Sequence, residues 1–311
     1  MAGDGTEGWG CGCTPSAYSS VRETHEPPSR RGMATRVSGL DSSGASTGEA
    51  TEAGGEATIH VRCYPQARMG PTGTFGWAPA HRRAALAVRD ALETLADEAE
   101  SRTDLDAVHW RLEAGRPVAL DMSEREGTLD GVTDAFDEVL EDREVLTGSC
   151  CHLLLAWQPL NQQLGYGGTP SAHRRVGAGD ALTVANIGAT ETWDNRRVTA
   201  NMAIHEVVHT FLSRDSVEAV VDSRCDHDLG SVREVEPGVR EVSPMATAYA
   251  GAGTDVTDTQ FAGSGCGHHE AFYHHDGTDD VERWLHTREL SEGTLEAASH
   301  YLATALGNND P

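Results

Sequence analysis

Apolar residues along "PAHRRAALAVRDALETLADEAE", from Pro79, return at three- and four-residue steps: Ala85, Leu86, Val88, Ala91, Leu92, Leu95 and Ala99. That is the period of an amphipathic helix, and Pro79 suits its first turn. "ATIHVRCYP" (Ala57 to Pro65) is short and rich in β-branched residues, so it reads as a first strand. "LDAVHWRLE" (Leu105 to Glu113) reads as another strand and "GVTDAFDEVLEDR" as a short acidic helix. "CCHLLLAW" (Cys150 to Trp157) is an unbroken apolar run of the length a buried central strand requires. "ALTVANIGA" (Ala181 to Ala189) reads as a further strand, placed at an edge. A helix is expected from about Asp194 to Leu212, and a last one from Ser291 to Gly307. Strands and helices alternate as far as Leu212. From Thr210 onward the pattern is irregular until the final helix.

Residues 1–57 are rich in Gly, Ser, Thr and Glu and lack apolar periodicity, so they are expected to be a disordered tail. Residues 58–311 then form one α/β (α+β) domain. Its upper half, 58–212, holds a mixed sheet, a backing helix and an active-site helix. Its lower half, 213–311, is loop-rich and ends in a helix.

Composition narrows the function. The formal net charge is -25, from 49 acidic and 24 basic residues, and every basic residue is arginine. A lysine-free acidic surface suits concentrated salt, where repulsion between like charges is screened within a few Å. A nucleic-acid partner is not expected, because no basic stripe is present to neutralise phosphates. No apolar stretch is long enough to span a membrane. Arg30-Arg31 has no apolar segment after it, so no export signal is recognised. The 7 cysteines are scattered and include no C-x-x-C pair. Cys225 and Cys266 flank the candidate site and are the first choice for a bridge. Cys11 or Cys13 is a candidate cap on the metal in a latent form.

The chemistry gathers at "AIHEVVHTFLSRD" (Ala203 to Asp215). His205 and His209 are four apart on one helical face and can share a metal ion, and Glu206 lies within reach of a water on it. The surrounding Met202, Ala203, Ile204, Val207, Val208, Phe211 and Leu212 are apolar. Two histidines and a glutamate on so apolar a helix need partners, since unpaired buried polar groups cost a few kcal/mol each. Four residues compete to be the third ligand. Asp215 stands six after His209 but follows Leu212, which does not favour a sharp bend. Glu218 is too close along the chain to return, and Asp222 sits in a helix-like stretch. His227, in "CDHDLG", is eighteen residues beyond His209, room enough to loop back, and a neutral imidazole suits zinc. Asp226 or Asp228 beside it is placed to orient an imidazole. His227 leads and Asp215 is second. "CGHHEAFYHHD" (Cys266 to Asp276) holds two adjacent histidine pairs, which seldom converge on one ion, and reads as an exposed polar loop near the cleft.

The succession HEVVH…DHDLG…SPMATAY, followed by G-x-G-C, resembles the metzincin zinc metalloproteases, and in particular a haloarchaeal group of metzincin-type proteases. It extends from about Ala181 to the end and is specific only over residues 199–266. It implies a zincin-like fold, a Met-turn at Ser243-Pro244-Met245 with Met245 beneath the metal, and Tyr249 as a transition-state hydrogen-bond donor. Leu212 and Asp215 replace the glycine and histidine of the compact family motif, and Tyr249 follows Met245 by four residues rather than two. The family leans towards an extracellular location, whereas the missing signal leans against it.

The expectation is a hydrolase with one zinc ion on His205, His209 and His227 (alternative third ligand Asp215). Three protein ligands leave one position for a water whose pKa falls to about 7 on the metal. Glu206 then serves as general base in proteolysis of a protein or peptide substrate. Two alternatives stay open: a non-catalytic zinc-stabilised binding or surface protein, and a small-molecule zinc amidohydrolase. A groove along the strand near Ala181 to Ala189 would favour peptides.

Overall fold

The computed structural model describes residues 57–70, 73–120, 129–157, 167–169, 176, 179–246, 271–277 and 279–307. The first half is built on a five-stranded sheet. Its strands are β1 (Ala57–Pro65), β4 (Val108–Ala114), β5 (Cys150–Leu155), β6 (Gly167–Gly168) and β7 (Ala181–Ala185), in the order β4-β1-β5-β7-β6. β4, β1, β5 and β7 run parallel, and β6 pairs antiparallel with β7. A short antiparallel pair, β2 (Arg68–Gly70) and β3 (Gly73–Phe75), follows β1.

β5 is buried along its whole length, as a central strand covered on both faces must be. Cys151, Leu153 and Leu155 face the core formed by α1 (Pro79–Arg102), the motif helix α4 (Arg196–Val208) and α6 (Glu292–Gly307). Leu154 faces the other way. It joins Tyr64, Leu182 and Val184 against Val132, Phe136 and Leu140 of α2 (Leu129–Asp142). The small residues Ala84, Ala87 and Ala203 in the first cluster let α1 and α4 approach closely.

Two expectations are corrected here. β7 is an interior strand between β5 and β6, and the edge on that side of the sheet, among the described residues, is Gly167–Gly168. Two glycines carry no periodicity, so that edge left no trace in the hydrophobic pattern. The second half is also not merely loop-rich. It holds a four-stranded sheet in the order β10-β8-β9-β11, from β8 (Ser231–Glu236), β9 (Val239–Val242), β10 (His274–His275) and β11 (Arg283–His286). β8 and β9 form a hairpin about Pro237-Gly238, and Gly238 supplies the positive φ of 75° that the reversal needs. His274 and His275, read as part of a loop, belong to a strand parallel to β8.

Between the sheets, α3 (Ile187–Trp193) is capped by Asn186, and Asn195 caps α4 by accepting from the Arg197 and Val198 amides. No helix among the described residues is long and apolar enough to cross a membrane. Residues 1–56 lie outside the described residues. So do Cys11, Cys13, Tyr249 and Cys266, and with them the proposed cap, the tyrosine donor and the Cys225–Cys266 bridge.

Candidate metal centre

α4 is regular only to Val208. His209–Phe211 tighten into a 3-10 turn, and Leu212 leaves in an extended conformation (φ -123°, ψ 143°). The chain therefore turns away without the glycine that a left-handed bend would require. Ser213 at once caps α5 (Arg214–Glu218), its Oγ accepting from the Ser216 amide at 3.1 Å. Asp215 sits in the first turn of α5, where a carboxylate complements the helix dipole, and is exposed. Asp215, the alternative third ligand, joins no group able to hold a metal among the described residues. Glu218 pairs with Arg214 and Arg224, and Asp222 is exposed.

The chain returns through a 3-10 turn at Asp226–Leu229, which brings His227 over the two helix histidines. His205, His209 and His227 are all buried, at 4%, 5% and 7% relative exposure, and together they can hold a metal ion. His205 Nε2 lies 2.9 Å from His209 Nε2, which lies 3.2 Å from His227 Nε2. Nitrogens at ~2.0–2.1 Å from a tetrahedral zinc would be ~3.3 Å apart, within half an ångström of both distances.

The protonation pattern sharpens the point. His205 Nδ1 donates to the Pro244 carbonyl at 2.7 Å, and His209 Nδ1 donates to Asp226 Oδ2 at 2.7 Å. Neither acceptor can donate, so in the neutral rings both Nε2 atoms carry bare lone pairs. Two lone pairs facing each other at 2.9 Å repel unless a cation stands between them. Burial, then the neighbouring His209 and His227, holds the His205 pKa well below its ordinary value, which keeps that ring a neutral ligand. The site's chemistry fits a metal ion.

The supporting groups come from distant segments. Pro244 belongs to a tight turn in which the Ala246 amide bonds the Ser243 carbonyl at 3.1 Å. Met245 is fully buried in that turn, in the same core cluster as Ile204, Val208 and Leu229. Gly230 permits the close approach of the turn, since a Cβ there would meet Ala246 N at 2.4 Å. Asn201, one helical turn before His205, donates to the Thr287 carbonyl at 2.8 Å and the Val242 carbonyl at 3.3 Å, tying α4 to the second sheet. Asp226 does orient an imidazole, as expected of it or Asp228, but that of His209.

Glu206 is 2% exposed and places Oε1 3.9 Å from His205 Nε2. Its carboxylate lies against the edge strand, where a Cβ on Gly167 would stand 2.4 Å from Oε1. The hydroxyls of Thr169 and Thr183 reach Oε2 at 3.0 Å and 3.3 Å. None of Gly167, Thr169 and Thr183 was apparent as a site residue, and Pro244 was expected only as part of the turn that carries Met245. The only signal was a threonine inside an apolar strand. His274 and His275 join no metal-competent group among the described residues. Nor do the buried Cys63, Cys150 and Cys151, whose thiols burial pushes upward, that of Cys151 to about 12.

The site therefore defines a class: a buried three-imidazole centre with an adjacent buried carboxylate. No protein-family model matches the chain, and a search of curated proteins finds no match either.

Proposed function

We propose that the protein is a zinc-dependent endopeptidase of metzincin type, with a zincin-like fold. The observation that carries this reading is the buried group of three imidazoles, with Nε2 atoms 2.9 Å and 3.2 Å apart and Glu206 Oε1 3.9 Å from one of them. His205, His209 and His227 would hold the ion, and three neutral imidazoles suit zinc. When bound, zinc supplies a Lewis acid that lowers the pKa of a water and polarises a carbonyl. Glu206 takes the proton from the attacking water and hands it to the leaving amine, which a peptide needs because its amine is a poor leaving group. Asp226 and the Pro244 carbonyl fix the tautomers of His209 and His205 so that Nε2 of each faces the ion. The turn carrying Met245 is the counterpart of the family's Met-turn.

Two features support a peptide substrate and a catalytic role. Among the described residues β6 is an antiparallel edge strand beside Glu206, a place where an extended chain can pair by backbone hydrogen bonds. A purely structural zinc site would be closed by a fourth ligand and would not need a buried acid one residue past a ligand. The test is hydrolysis of an unstructured protein in molar salt, before and after chelation. Cleavage is expected to stop on chelation and return with zinc. Cleavage indifferent to the chelator would overturn the reading.

A further inference from the structure

Thr183 lies midway along β7 in the apolar run Ala181–Ala185 and is fully buried. A buried hydroxyl costs free energy unless hydrogen-bonded, and valine would fill the same volume at an interior strand position. The hydroxyl therefore calls for a partner. Its Oγ1 is 2.6 Å from Thr169 Oγ1, and Glu206 Oε2 lies 3.0 Å from Thr169 and 3.3 Å from Thr183. Each hydroxyl has a single proton to give. One proton must close the short contact between the two oxygens, which leaves the other for the carboxylate. The shorter carboxylate distance assigns that last link to Thr169. The chain then runs from Thr183 O–H to Thr169 Oγ1, and from Thr169 O–H to Glu206 Oε2. The remaining acceptors, Gly168 O at 3.3 Å from Thr183 and Glu206 O at 3.2 Å from Thr169, are more distant.

We propose that Thr169 and Thr183 are positioning residues: a hydroxyl chain from the sheet edge that clamps Oε2 of Glu206 and directs Oε1 to the histidine group. This rests on the peptidase reading above. The anchors sit on the last two strands on one side of the five-stranded sheet, Thr169 just after β6 and Thr183 within the neighbouring β7. Gly167, on the same edge, leaves space for Oε1. The position of the base is thereby tied to the strand along which an extended substrate would lie. Misplacing a reacting group by about 1 Å can cost on the order of 100-fold in rate, so a clamp of this kind has a measurable consequence.

The test compares Thr183→Val, Thr183→Ser, Thr169→Val and Glu206→Gln with the wild type, all loaded with zinc. Thr183→Val keeps the volume and removes the hydroxyl; Thr169→Val breaks the last link directly, should the first variant fold poorly. Each valine variant is expected to lose about 10-fold or more in kcat, with KM and zinc content unchanged, and Thr183→Ser to restore most of it. A second readout is calorimetric binding of a peptidyl hydroxamate, whose acidic proton a neighbouring carboxylate must accept. Its affinity should fall in the valine variants and recover in Thr183→Ser. Valine variants within twofold of wild type in kcat and hydroxamate affinity, beside an inactive Glu206→Gln, would overturn the clamp and leave the peptidase reading standing. A fully active Glu206→Gln would overturn both.

Discussion

Glu206→Gln is expected to lower kcat on a peptide substrate by about 100- to 10,000-fold, the range of a lost general base. The loss should come without loss of zinc, because among the described residues neither group able to hold an ion, His205–His209–His227 or Cys225–Asp226–His227, includes Glu206. Glutamine has the shape of glutamate, and its carbonyl oxygen can still accept from Thr169, so the packing beside Gly167 is retained. What it lacks is a site for the proton. Parallel measurement of kcat and of zinc per chain separates the cases. A variant that keeps its zinc and its activity would remove Glu206 from the chemistry.

The second large effect is on acid stability of the metal-free chain. His286, at the end of β11, is 3% exposed, and burial lowers its pKa from 6.5 to about 3. His205 is shifted in the same direction. Between pH 6.5 and about 3 the unfolded chain binds a proton on His286 that the folded chain refuses. Stability is therefore fully present above pH 6.5 and falls as the pH drops, by about 1.4 kcal/mol per unit for this one group. Carried to the folded pKa, the loss is on the order of 5 kcal/mol, a large part of a typical domain's stability. Urea unfolding of the apo-protein at several pH values should show this slope, and His286→Leu should remove about one proton's worth of it. An unchanged slope in that variant would show that His286 is not held neutral.

Much of this architecture could be read from the chain, and the exceptions have physical causes. β1 was expected at Ala57 to Pro65 and is observed there, because its β-branched residues and the following loop mark both ends. α1 and α6 carry strong helical periodicity, and β5 is a continuous apolar run, so all three were apparent. The hairpin of β8 and β9 was not, because "VREVE" and "VREV" alternate a few valines with charged residues on short strands. β6 is two glycines.

The metal centre divides the same way. His205, Glu206 and His209 share one helix, so their spacing is local information. His227 was reached by ligand preference and chain reach, and the structure brings it to the other two. Leu212 does not take a left-handed bend, as its side chain implies, but the helix expected to reach it gives way after Val208 to a 3-10 turn. The groups that fix the tautomers and the base are non-local: Pro244 is 39 residues from His205, and Thr169 is 37 from Glu206. Such pairs depend on the meeting of two sheets and a helix, which no local pattern encodes.

The most direct measurement is zinc content, in molar salt, of the wild type beside His227→Ala and Asp215→Ala. The account predicts one tightly held ion in the wild type and in Asp215→Ala, with the ion lost from His227→Ala. A wild type that holds no zinc, or an ion lost from Asp215→Ala alone, would contradict it.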